Sequence, residues 1–208
     1  MTTRAETMQT PLDVQQLVDA RLEERLDEIL ERKLAEINGK KVPKLSIIAT
    51  KGTLDWAYPP FILASTAAAL GWDTAIFFTF YGLTLLKKNL DAQVSPLGNP
   101  AMPMKMPMGP KWFRAINWKI PNIVQAAIPG YEALATTLMK KTIGNVGVAD
   151  IAELRTLCIE ADVKFVACQM TVDLFGFDRS EFIPEVSDYV GAASFLPTAQ
   201  TSDVCLFI

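Results

Sequence analysis

The chain has 208 residues, half of them apolar and 21% charged, with a net charge of −3. This suits a globular core with an appendage; it excludes a disordered chain and offers no excess positive charge to nucleic acid. There is no histidine, which excludes Cys–His and Ser–His catalytic pairs and every histidine-ligated metal site.

The first predicted element is a long amphipathic helix, Leu12 to Ile37. Its apolar residues, among them Leu22, Leu26, Ile29 and Leu30, recur at steps of three and four, with acids and bases between. Asn38-Gly39 is a good stop. About 26 helical residues span roughly 39 Å, too long for an ordinary element of a small α/β core. Two readings stand: a solvated helix laid on the core, or a coiled-coil arm that makes a homo-oligomer.

Leu45 to Thr50 reads as a buried strand ending at Lys51-Gly52, and Phe61 to Leu70 as an Ala-rich helix with Pro59 and Pro60 at its start. Thr74 to Phe80 reads as a second strand ending at Tyr81-Gly82. Strand, helix, strand in this rhythm is a βαβ unit and predicts a parallel sheet. Between Tyr58 and Leu86 the only ionised side chain is Asp73. The prolines and Gly71-Trp72-Asp73 divide the stretch into pieces shorter than the roughly 18–20 residues of a spanning helix, so buried helix and buried strand are expected.

Ser95 to Pro110 breaks the rhythm and holds half of the methionines, Met102, Met104, Met106 and Met108. Trp112 and Trp118 follow, and between Lys87 and Lys119 six basic residues face one acid, Asp91. A long loop of this kind inside a compact domain suggests docking to a partner, a sister subunit or an anionic membrane surface. Helices are then expected over Tyr131–Thr142 and Ala149–Ala161, a strand over Val163–Cys168, and a helical turn from Gln169 closed by Gly176. Glu185 and Val186 suggest a short strand, Ser187 a helix N-cap, and Asp203–Ile208 a last strand. The expected fold is α/β: a three-layer α/β/α domain with a mostly parallel sheet of about five strands, over residues 41–208, with an insertion at about 87–130. A helical arm over 1–40 precedes it.

The N-terminus MTTRAETMQT has no apolar stretch of signal-peptide type, so a cytoplasmic site of action is expected. Three cysteines without CxxC spacing point to a reducing compartment. Neither a metal cluster nor a cofactor-binding motif is present in the sequence, so no metal and no organic cofactor are expected. In an open parallel sheet, ligands bind beyond the carboxyl ends of the strands. That rim should carry Lys51, Gly52, Tyr81, Cys168 and Gln169. Cys168 ends an apolar strand just before a helical turn, where free N–H groups favour thiolate, and Lys51 could add positive charge. Cys158 sits among Leu154, Leu157 and Ile159, and Cys205 alternates within the last strand, so both read as core.

The runs LSIIATKGTLDWAYPPFILASTAAALG, AIFFTFYGL and VKFVACQMTVDLFG resemble the DsrE/DsrF-like family, in its larger branch with a Met- and Pro-rich insertion. The resemblance covers Lys44 to Ile208 and places Cys168 at the family's active cysteine. It implies a sulfur carrier or sulfurtransferase of sulfur metabolism that holds sulfane sulfur as a persulfide or thiosulfonate. It also implies partners such as TusA-like carriers or rhodanese-like proteins. Two rivals stand beside it: a thiol peroxidase or redox sensor, which uses the same thiolate but needs a resolving cysteine, and a non-enzymatic scaffold or membrane-surface protein that uses the Met- and Trp-rich insertion.

Overall fold

The computed structural model describes residues 11–95, 105–106, 109–118, 121, 124 and 127–208. Two units divide the chain, Met1–Val42 and Pro43–Ile208. The first holds helix α1, Pro11–Lys40. Leu17, Leu22, Leu26, Ile29, Leu30 and Leu34 all remain exposed along it.

The second unit is built on five parallel strands: β1, Lys44–Ala49; β2, Asp73–Phe78; β3, Lys164–Cys168; β4, Val186–Val190; and β5, Val204–Phe207. Their order is β4-β3-β2-β1-β5, with parallel pairing throughout. The helices are α2, Leu54–Ala69; α3, Lys111–Arg114; α4, Tyr131–Asn145; α5, Ile151–Glu160; α6, Gln169–Phe175; and α7, Ala192–Gln200. Two 3₁₀ pieces, Phe80–Leu86 and the single turn Arg179–Glu181, complete the described elements.

The order of strands explains the layers. From β1 to β4 each strand is added on the same side, so right-handed crossovers put α2 and α5 on one face. The return from β4 to β5 runs the other way and puts α7 on the opposite face. Alternation along each strand then splits the side chains into two cores. Ile47, Ile76, Phe78, Phe165 and Ala167 pack with Phe61 and Leu154 under α2 and α5. Ala75, Phe77, Val166 and Cys168 pack with Phe195 of α7. Phe61, Phe78 and Phe165 meet with ring centroids 5.6–6.1 Å apart, each pair worth about 0.5–1.5 kcal/mol beyond area burial.

Three expectations need correction. Pro59 and Pro60 lie inside α2, in its second turn. The helix starts earlier because a distant group caps it: the Leu54 N–H donates to the Gln93 carbonyl at 2.8 Å. The prolines cannot donate to the carbonyls of Asp55 and Trp56. Burial of Leu54, Ala57, Pro60 and Phe61 offsets that loss. Ser187 is not a helix cap but a residue of β4, where its hydroxyl donates to the Phe165 carbonyl at 2.9 Å. The helix begins after Gly191 instead. Cys205 is exposed. It lies on the edge strand, where Val204 and Leu206 pack inward and Cys205 and Phe207 point outward.

Candidate functional site

Cys168 is the last residue of β3 and the N-cap of α6. Two polar neighbours come to it by register. Phe78 pairs with Ala167, so the next residue along, Thr79, stands beside Cys168 on the α7 side. Thr171 is the third residue of α6, from where its side chain reaches back over the N-cap position. The Thr171 and Thr79 hydroxyls are 3.2 Å apart, and the Phe80 N–H donates to Thr171 Oγ1 at 3.4 Å. Thr171 is fully buried and Cys168 is only 2% exposed.

Burial is the largest single influence on the thiol and pushes its pKa up. The hydroxyl and N–H of Thr171, the hydroxyl of Thr79 and the N–H of Met170 act against it. Together they win and hold the thiol below its ordinary value. The result is a buried sulfur with donors arranged to support negative charge. Cys158 shows the contrast. It is fully buried against the Phe61 carbonyl, with Sγ 3.4 Å from that oxygen, and burial pushes its thiol up to about 12.

Phe80 follows Thr79 with φ of 47°, a left-handed conformation that costs a non-glycine residue about 1–2 kcal/mol. Such strain gathers at functional sites. The turn it makes brings Gly82 against the Ala49 carbonyl, and Gly52 against the Tyr81 carbonyl and the Thr84 hydroxyl, with no room for a Cβ at either glycine. Those two approaches tie the carboxyl end of β1 to the turn after β2.

The DsrE/DsrF/DrsH-like family model matches residues 41–207. The chain belongs to that family. It is 57% identical over 165 residues to the sulfur carrier protein DsrE2 of Allochromatium vinosum, covering 79% of this chain and 98% of that protein. It is 27% identical over 169 residues to the uncharacterized protein YrkE of Bacillus subtilis, covering 81% and 99%. Helix α1 lies before the family region, whereas every strand of the sheet lies within it.

Of the rim residues expected from the sequence, all lie at the carboxyl ends of the strands, but they do not form one cluster around the sulfur. The Lys51 ammonium sits 3.4 Å from the centroid of the Trp56 ring. Its strand is separated from β3 by β2, on the order of 10 Å at the usual strand spacing. Gly52 serves packing. Tyr81 is exposed and stacks on Phe175 at 5.7 Å. Gln169 donates to Asp173 Oδ1 at 2.6 Å and accepts from Arg179. The residues that act on the sulfur, Thr79 and Thr171, carried a faint signal: polar side chains at the ends of otherwise apolar runs, one of them in the spacing Cys168-x-x-Thr171.

The cysteines should separate chemically. With iodoacetamide in the native state, Cys158 should stay unlabelled, and Cys168 should still react at pH values below the range of a free cysteine. Mapping the labelled peptides across a pH series checks both, and native labelling of Cys158 would contradict the burial argument.

Proposed function

We propose that the protein is a sulfur carrier that holds sulfane sulfur on Cys168 and passes it to a partner. The observation that carries this reading is the lowered thiol at the end of β3, held by Thr79, Thr171 and two N–H groups. The similarity to a protein named a sulfur carrier supports it. With thiosulfate, the Cys168 thiolate attacks the outer sulfur, an S–S bond forms, and sulfite leaves with the electron pair, giving a persulfide. With tetrathionate, attack on an inner sulfur expels thiosulfate and leaves a thiosulfonate on the cysteine. A partner thiolate then attacks the sulfane sulfur bonded to Cys168 Sγ, taking it with whatever it carries, and Cys168 departs as thiolate. The donors that lower the thiol pKa stabilise that leaving group as well. Intact-mass spectrometry after incubation with thiosulfate, tetrathionate and polysulfide should show gain at one site. A protein unmodified by all three would overturn the proposal.

The peroxidase or redox-sensor reading is disfavoured. A disulfide needs Cα atoms about 4.4–6.8 Å apart. The order β3-β2-β1-β5 puts three strand spacings, roughly 14 Å, between the strands of Cys168 and Cys205, and Cys158 lies under the other face of the sheet.

The partner fits the exposed apolar lip next to Cys168: Phe80, Tyr81, Met170, Leu174 and Phe175. A TusA-like or rhodanese-like protein bringing its own thiol would dock there and displace part of the lip to reach the sulfur. Helix α1 suits self-association, since its exposed apolar stripe gains roughly 25 cal/mol per Å² when covered by a copy of itself. Deleting Met1 to Gly39 should lower the subunit number in light scattering; an unchanged number would sink this idea. Much of the insertion, including Met102, Met104 and Met108, lies outside the described residues. Its described part exposes Trp112, Ile116, Val124 and Ile128 beside Lys111 and Arg114, and we assign it to docking against a partner, a sister subunit or an anionic membrane surface. Liposome flotation that is unaffected by Trp112→Ala would remove the membrane from that set. Among the described residues no helix is long and apolar enough to cross a membrane, and we place the protein's work in the cytoplasm.

A further inference from the structure

A second feature lies on the other side of α6. A cavity of about 310 Å³ opens between the Arg179–Glu181 turn and the end of β4, with Lys88 and Arg179 on its rim and Phe182, Ile183, Val186 and Tyr189 among its walls. Phe182, Ile183 and Val186 are buried and belong to the core under α2 and α5. Cys168 faces α7, so this cavity stands apart from the sulfur.

Three observations make the cavity a built one. Its two cationic segments are tied together: the Lys88 N–H donates to the Glu181 carbonyl and the Ile183 N–H to the Leu86 carbonyl, both at 2.9 Å. The Arg179 guanidinium is fixed by neutral groups alone, lying 4.4 Å over the Tyr189 ring and donating to Gln169 Oε1. The two acids of the adjoining turn are already engaged. Glu181 pairs with Lys87 at 3.1 Å and accepts from the Asp178 N–H at 2.9 Å, and Asp178 accepts from the Ser180 N–H at 2.7 Å. Among the described residues, neither Lys88 nor Arg179 forms an ion pair.

We propose that this cavity binds a small organic anion with an apolar body, its charged end between Lys88 and Arg179 and its body on Pro184 and Tyr189. Size and lining argue against a bare oxyanion. The volume matches about ten waters at ~30 Å³ each, more than an inorganic anion fills, and five of the eight lining residues are apolar or aromatic. The planar guanidinium suits a carboxylate, sulfonate or phosphate. It has five N–H donors, so it can hold Gln169 and the ligand together. Gln169 directly follows Cys168 in the chain, which makes its side-chain amide a reporter of occupancy.

The test is an NMR titration of the full chain with hexanesulfonate, following the Gln169 side-chain amide and the backbone N–H groups of Ser180 and Ile183. Thiosulfate (charge without the apolar body) and hexanol (body without the charge) serve as comparisons. Saturable shifts are expected with hexanesulfonate, and binding about tenfold weaker for the double variant Lys88→Gln, Arg179→Gln, at roughly the strength of two exposed charge contacts. Both side chains are exposed, so the fold should persist, and Lys88→Gln alone, expected to weaken binding severalfold, tests the site without touching the Gln169 contact. Equal binding by these variants would overturn the proposal. So would hexanol binding as well as hexanesulfonate, or thiosulfate binding as well as hexanesulfonate.

Discussion

Replacing Cys168 by serine is expected to abolish sulfur loading and leave the fold intact. Serine keeps the shape at a site where the side chain is 2% exposed. Its hydroxyl can take the place of the thiol among Thr79, Thr171 and the N–H groups of α6. What it lacks is chemistry: a hydroxyl does not ionise near neutral pH and cannot form an S–S bond. Stability should change by about 1 kcal/mol or less, as for substitutions that leave no cavity and no unpaired group. The mass gain from a sulfane-sulfur donor should vanish, and thermal unfolding should stay close to that of the native chain. Full loading of the serine variant would sink the assignment.

Thr171→Val should slow loading at neutral pH by about tenfold and move its pH profile upward, the size of effect expected when one hydrogen bond to a charged group is lost. The substitution keeps the branch and removes the hydroxyl. Burial, the largest influence on Cys168 and one that raises its pKa, is then opposed by fewer groups. The sign follows directly. In the native protein the thiol pKa is lowered, so thiolate persists to lower pH; in the variant it rises, so at a given pH less thiolate is present. Well above both pKa values the two rates should converge. Convergence separates an electrostatic role from simple damage to the fold, and Thr171→Ser should restore the native profile. Some stability is lost too, since the Thr79 hydroxyl and the Phe80 N–H both lose a partner. A rate deficit constant with pH would contradict the argument.

Much of the sheet was legible because its strands are short apolar runs bounded by glycine or charge, and because βαβ rhythm predicts parallel pairing. Cys168 was legible for the same reason: it ends such a run before a helical turn. The misreadings share a cause, which is distance along the chain. The start of α2 depends on the Gln93 carbonyl, nearly forty residues beyond Leu54. Cys205 alternates like a core residue, but β5 is an edge strand and its outer side is uncovered; strand order, not periodicity, decides that. Ser187 has the chemistry of a cap, but it is the extra residue of a bulge in β4, and its hydroxyl is spent on the Phe165 carbonyl of β3. In the same way, Thr79 joins the site only through the β2–β3 register, and Lys51 is held off by the intervening strand and by Trp56.

The exposure of Cys205 sharpens the central question, because an accessible thiol can also pick up sulfur by chance. The most direct measurement is peptide-level mass spectrometry of the native chain after brief treatment with limiting tetrathionate or polysulfide at mildly acidic pH. There a lowered thiol pKa gives Cys168 the advantage. The added sulfur should appear on the peptide that holds Cys168, with Cys158 unmodified. Sulfur found on Cys205 while Cys168 remains a free thiol would contradict the account.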